Sequence, residues 1–156
     1  MDKTFLGYYR TINAEKRLKK QVRIMEERAT EMGNRHKKII AEYEKLIADS
    51  ASVLLSAEAR NTKKDNAEAK GAEIRMIEKT MRSFNKDAKG LLSKQHNQSR
   101  ADIIIEIKKV IGMIAKNKKV DMVLDDSGKT SNLIPTIVWN KGDNDLTTEV
   151  LAILNK

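Results

Sequence analysis

A few groups of residues in this chain are of types that could do chemistry, and each has an ordinary surface role as its rival. Ser127-Gly128-Lys129-Thr130 has the ending of a phosphate-binding loop, in which backbone N–H groups and a lysine hold phosphate oxygens. That loop also needs glycine at position 123, which is Val123, and a helix after it, where this sequence reads as a strand. A plain turn is expected instead. Asp121, Asp125 and Asp126 could pair as carboxylates or hold a divalent ion, and Gly142-Asp-Asn-Asp145 offers similar oxygens. Both sets flank turns with no enclosing pocket in the pattern, so they read as solvated turn residues. His36 and His96 are the only histidines, and the spacing of the helices that carry them keeps them from sharing a metal. There is no cysteine, which excludes disulfides and thiol chemistry. No catalytic residue, metal or cofactor is expected, and the chain does not read as an enzyme.

The elements that must position these residues are dominated by one stretch, residues 18–46. Stepping four then three, its seam reads Leu18, Val22, Met25, Ala29, Met32, His36, Ile39, Tyr43, Leu46, while Lys, Arg and Glu fill most positions between. That is the 3.5-residue repeat of a helix lying along a partner. A second seam, Ile74, Ile77, Met81, Phe84, Ala88, Leu91, follows a short break at residues 49–56. The economical arrangement is an αα-hairpin zipped antiparallel about a tip near Val53. Residues whose numbers sum to about 106 should then face each other, which places His36 opposite residue 70 and Gly33 level with Gly71. The two glycines would make a shared soft point, since each costs about 1 kcal/mol in a helix.

The boundaries expected are helix 1 over about 3–48, a tip over about 49–57 and helix 2 over about 58–116, together forming a hairpin arm, residues 1–117. Over residues 103–114, with Ile103, Ile104, Ile105, Ile107, Val110, Ile111 and Ile114, the helix is apolar on nearly every face and should be buried on most of them. Residues 118–156 change character. Val120-Asp-Met-Val-Leu-Asp125 and Ile134-Pro-Thr-Ile-Val-Trp139 read as two strands, and residues 147–154 as a helix that Asp145 or Thr147 can cap. The fold class expected is mainly α with a small β part (α+β), a long coiled-coil hairpin plus a small β-rich oligomerisation body formed by the chain ends. A two-stranded ribbon is marginal alone. Burial in an oligomeric core would satisfy the strands, the apolar helix and the cluster Phe5, Leu6, Tyr8 and Tyr9 at the base of the arm together. Phe5, Tyr9, Ile104, Ile107, Ile111, Val123, Ile137, Trp139 and Leu151 are the expected oligomer contacts.

Charge separates the two parts. The net charge is +9, yet residues 1–117 carry 26 Lys+Arg against 16 Asp+Glu and residues 118–156 carry 5 against 6. A basic rod suits acidic protein clients, anionic lipid head groups or nucleic acid, and charge alone does not choose among them. Aromatics are not interleaved with the basic residues, and acidic residues run through both arms, which makes nucleic acid the weaker partner. Met25, Met32, Met76 and Met81, adaptable apolar side chains, with Lys37, Lys38, Lys63 and Lys64, are the residues expected to meet a client. No apolar run is long enough to span a bilayer.

With those parts in place the chain resembles the OmpH/Skp family of periplasmic chaperones. Val120-Asp-Met-Val-Leu-Asp125 is similar to the family's "YDLVLD" strand, and Asp145-Leu-Thr-Thr-Glu-Val-Leu151 with Asn155-Lys156 to its "DIT-x-EVL…LN" ending. Tyr8-Tyr-Arg-Thr11, Ala14-Glu15 and Leu18-Lys19 resemble the start of its first helix, and Leu55-Ser-Ala-Glu-Ala-Arg60 its helical tip. The resemblance implies a jellyfish-shaped trimer that holds unfolded outer-membrane proteins in the periplasm without ATP. It also implies a secretory leader and an apolar first strand ahead of the segment that residues 1–5 match; neither is in this sequence, and trimming is the expectation, with a chain that never had them as the alternative. A basic coiled-coil rod binding nucleic acid and a purely structural coiled-coil scaffold are the readings that compete with it.

Overall fold

The computed structural model describes residues 1–156, and 76% of the chain is helical. The elements are α1 (Asp2–Gly7), α2 (Tyr9–Ser50), α3 (Ala57–Lys118) and α4 (Thr147–Leu154). The chain folds as two compact units, Met1–Lys19 with Ser93–Lys156, and Lys20–Leu92.

In the unit Lys20–Leu92, α2 and α3 form a helical hairpin. Val22, Met25, Ala29, Met32, His36, Ile39, Tyr43 and Leu46 are all buried or half-buried, and the charged positions between them are mostly exposed. On α3 the matching face is Ala67, Ile74, Ile77, Met81, Phe84 and Ala88, while Leu91 turns outward. The arms reverse at residues 51–56. Ser56 starts α3 as an N-cap, its Oγ accepting from Ala59 N at 3.2 Å. Val53 and Leu54 stand at the apex almost fully exposed.

The register differs from the one expected. Cross-helix pairs run Asp49 with Lys63, Glu42 with Lys70, Arg35 with Glu73 and His36 with Glu78, so partners sum to 108 to 114 rather than 106. The cause is side-chain direction. Every Cα–Cβ bond leans toward its helix N-terminus. On α2 that is away from the tip and on α3 toward it, so side chains meet from residues whose backbones are offset along the hairpin. Counting from the tip alone aligns backbones, not side chains. Glu78 rather than residue 70 therefore faces His36, and Gly71 lies beside Tyr43, where an added Cβ would sit 3.6 Å from Cε2. An added Cβ at Gly33 would meet nothing within 4 Å.

The other unit gathers both chain ends. Ile103, Ile107, Val110 and Ile114 recur four, three and four apart, which is one face of α3, and they pack with Tyr8, Val150 and Leu154 in a single core. Ile107 is 0% exposed. The same chain's α4 thus seals part of the apolar stretch that was expected to need other copies. Ile105, at 65% exposure, and Met113 on the far side remain open.

The expected β-rich body is absent, so the α+β reading is overturned. No strand forms, and the only pairing is an isolated antiparallel bridge between Lys129 and Pro135. It is closed by Thr136 N to Gly128 O and Thr130 N to Ile134 O, both 2.8 Å. The physical reason is that alternation alone does not make a strand; a ladder partner does. Residues 120–124 find none in this chain, and Pro135 lacks the N–H that would extend the bridge.

Candidate functional site

The residue groups that could have carried catalysis are engaged in local structure. Asp125 Oδ1 accepts from Ser127 N at 3.0 Å and from its Oγ at 2.6 Å, an Asx-type turn. Asp145 Oδ1 accepts from Thr147 N at 2.8 Å at the entry to α4, and its bonds to Thr147 hold its carboxyl below the usual carboxylate range. No group of three or more His, Cys, Asp or Glu stands close enough to hold a metal ion. His36 and His96 belong to different units.

On the hairpin, charged side chains are laced across the seam. Lys70 Nζ stands 2.8 Å from Glu42 and 3.1 Å from Glu73, and Glu73 also meets Arg35 at 3.3 Å. Hydrogen bonding to Lys70 holds the Glu42 and Glu73 carboxyls below their usual range, and the two carboxylates push the Lys70 ammonium up. Among the expected client-facing residues, Lys37, Lys38 and Lys64 are exposed, while Lys63 is tied to Asp49 at 3.2 Å. Met25, Met32 and Met81 are half-buried in the seam, and Met76 alone of the four faces solvent, at 72%.

At the chain ends the expected contact residues divide in two. Ile107 is core within the chain, Ile104 and Ile111 are half-buried, and Leu151 fills the space over Gly7, where a Cβ would meet its methyls at 3.1 Å. Phe5 is half-buried beneath the Arg100 guanidinium, 4.9 Å from its ring centroid. Ile137 is half-buried, whereas Tyr9, Val123 and Trp139 are open, Trp139 to 79%. Ile105, Met113, Met122, Leu124, Ile134 and Val138 are further open apolar side chains in this unit. None of the six is among the expected oligomer contacts, although Ile105 lies in the stretch expected to be buried and the alternation of residues 120–124 and 134–139 marks a face that something should cover.

Sequence reasoning also missed how this end is locked. Tyr8 is buried and donates its hydroxyl to Glu106 Oε2 at 2.9 Å, and Arg10 pairs with the other Glu106 oxygen. Burial first, and then the bond to Glu106, pushes the Tyr8 phenol up. Asn155 spans the break between α1 and α2: its Oδ1 accepts from Tyr9 N at 2.9 Å and its Nδ2 donates to Gly7 O at 3.0 Å. Helix ends leave such backbone groups without intrahelical partners. One side chain near the C-terminus satisfies one of each kind.

Each unit presents apolar side chains to solvent, Met76 on the hairpin and Trp139 and Val138 at the chain ends among them. No helix is long and apolar enough to cross a membrane. A family model described as outer membrane protein (OmpH-like) matches residues 1–154. No curated protein and no solved structure matches the chain.

Proposed function

The chain belongs to the OmpH-like family, which is known for periplasmic chaperone activity and is non-enzymatic in general, and from that premise we propose that it is an ATP-independent holdase for unfolded outer-membrane proteins. In this reading three copies join through their chain ends and cage a client between basic helical hairpins. The family match over residues 1–154 carries the reading.

Two surfaces support it. Met122, Leu124, Val138 and Trp139 are each more than 60% exposed in one unit, and exposed apolar surface of that kind marks interaction sites when it is contiguous. The hairpin presents Lys37, Lys38, Lys64 and Met76 to solvent, a mixture of cations and one adaptable apolar side chain. Many weak contacts of that kind hold a chain without imposing a fold on it. Glu42, Glu73 and Glu78 sit among the arm cations and neutralise several of them, which weakens the case for a phosphate-tracking rod.

The test is dilution of a urea-unfolded β-barrel membrane protein into buffer with the full chain at stoichiometric ratio and no nucleotide. Suppressed aggregation is expected. Aggregation as fast as in buffer alone would support a scaffold, and tight duplex DNA binding with a steep salt slope at physiological ionic strength would support the nucleic-acid rod.

A further inference from the structure

His36 is the one polar side chain in the α2 seam, and holding a client gives it no task. Its Nε2 is shut off from solvent and has no hydrogen-bond partner, yet it lies 3.4 Å from Glu78 Oε1 on the opposite helix. Buried polar atoms are nearly always satisfied, so one poised just outside a good bond to a carboxylate calls for a reason. We propose that His36 and Glu78 are a proton-operated latch between the two helices of the hairpin.

The position of the pair gives the latch its leverage. Cross-helix ion pairs run from the tip as Asp49 with Lys63, Glu42 with Lys70, Arg35 with Glu73 and finally His36 with Glu78. Between that last pair and the Lys20 and Leu92 end of the unit, no further cross-helix ion pair occurs, and the helices are held by apolar seam residues alone. Arg35 already stands one residue beyond His36 on α2, so protonation of His36 decides whether the ladder on α3 ends at Glu73 or is carried on to Glu78.

The surrounding charges leave Glu78 able to respond. The groups near His36 are Glu78 on α3, Arg82 whose Nη2 stands 3.7 Å from Glu78 Oε2, Arg35 and Lys37 on either side of it on α2, and Glu73, the partner of Arg35 on α3. Arg82 takes one Glu78 oxygen and leaves Oε1 toward the imidazole. A neutral imidazole can present a lone pair to that carboxylate, whereas the imidazolium carries hydrogen on both nitrogens and must donate. The resulting bond is charge-assisted and shorter than 3.4 Å. The latch is therefore engaged when the imidazole carries both hydrogens and released when it carries one, so acid closes it and base opens it. This inference does not rest on the holdase reading, because its test observes the hairpin itself.

The experiment is amide hydrogen exchange on the full chain at about pH 5.5 and about pH 8, corrected for intrinsic exchange, on the wild type and on His36→Gln, Glu78→Gln and His96→Gln. Protection over residues 32–40 and 74–82 is expected to be about threefold greater at the lower pH, a size set by a partly exposed pair. His96→Gln, which alters an exposed histidine of the other unit, should keep that response. His36→Gln and Glu78→Gln should each lose it while retaining the hairpin at the higher pH. An unchanged response in His36→Gln, or none in the wild type, overturns the latch.

Discussion

Glu42 on α2 and Lys70 on α3 stand 2.8 Å apart, and Lys70 reaches Glu73 on its own helix with the same ammonium. One cation thus serves two carboxylates on two helices. Both carboxyls are held below their usual range, so their contribution is complete above the ordinary glutamate range and is lost as pH falls through the lowered one. Lys70 is raised, so its share is complete below the ordinary lysine range and is lost only in stronger alkali. Thermal unfolding across pH should show the hairpin weakening toward acid, and Lys70→Gln should flatten that acid limb. An acid limb of equal depth in the variant would mean that other carboxylates set it.

Ile107 and Ile105 lie on one helix two residues apart, the first 0% exposed and the second open. Ile107→Ala should cost about 2 to 5 kcal/mol through lost burial and the cavity left behind. Ile105→Ala should change the stability of a single chain by about 0.5 kcal/mol or less. Urea unfolding of both variants at low protein concentration checks the contrast.

Asn155→Ala should destabilise the chain ends by about 1 to 3 kcal/mol, since it orphans Tyr9 N and Gly7 O together. Faster amide exchange at Tyr9 with little change along the hairpin is the expected pattern.

Tyr8 should ionise above the ordinary tyrosine range in an ultraviolet titration, because burial and Glu106 both resist the phenolate. A group whose folded value is raised stabilises below its unfolded value and ceases to do so above the raised one, so this support is lost only in alkali. Tyr8→Phe should remove the late step and cost about 1 kcal/mol at neutral pH.

The two long helices were legible because a seam spaced four and three is written directly in residue type, and every α2 seam position from Val22 to Leu46 is buried or half-buried. The pairing across the seam was not, because it depends on the direction in which side chains lean. Glu78 opposite His36 is the clearest instance. The tail illustrates the opposite limit: alternation in residues 120–124 and 134–139 is plain in the sequence, but a strand needs a neighbour, and this chain supplies only the Lys129 and Pro135 bridge. Trp139 and Val123 were picked out and are open, whereas Ile107 and Leu151, picked out on the same grounds, are covered by their own chain. Asn155 carried no signal beyond its type.

The central claim is that the open apolar side chains at the chain ends are covered by further copies, which together hold a client. Light scattering of the full chain at physiological salt tests it most directly, alone and with the paired substitutions Val138→Asp and Trp139→Asp, whose parent side chains are 87% and 79% exposed and so add little to the single-chain fold. The account predicts a wild-type mass of three times the 17.7 kDa chain and a shift of the variant to the single-chain mass with its helix content kept. A wild-type protein that stays at 17.7 kDa at working concentration would contradict it.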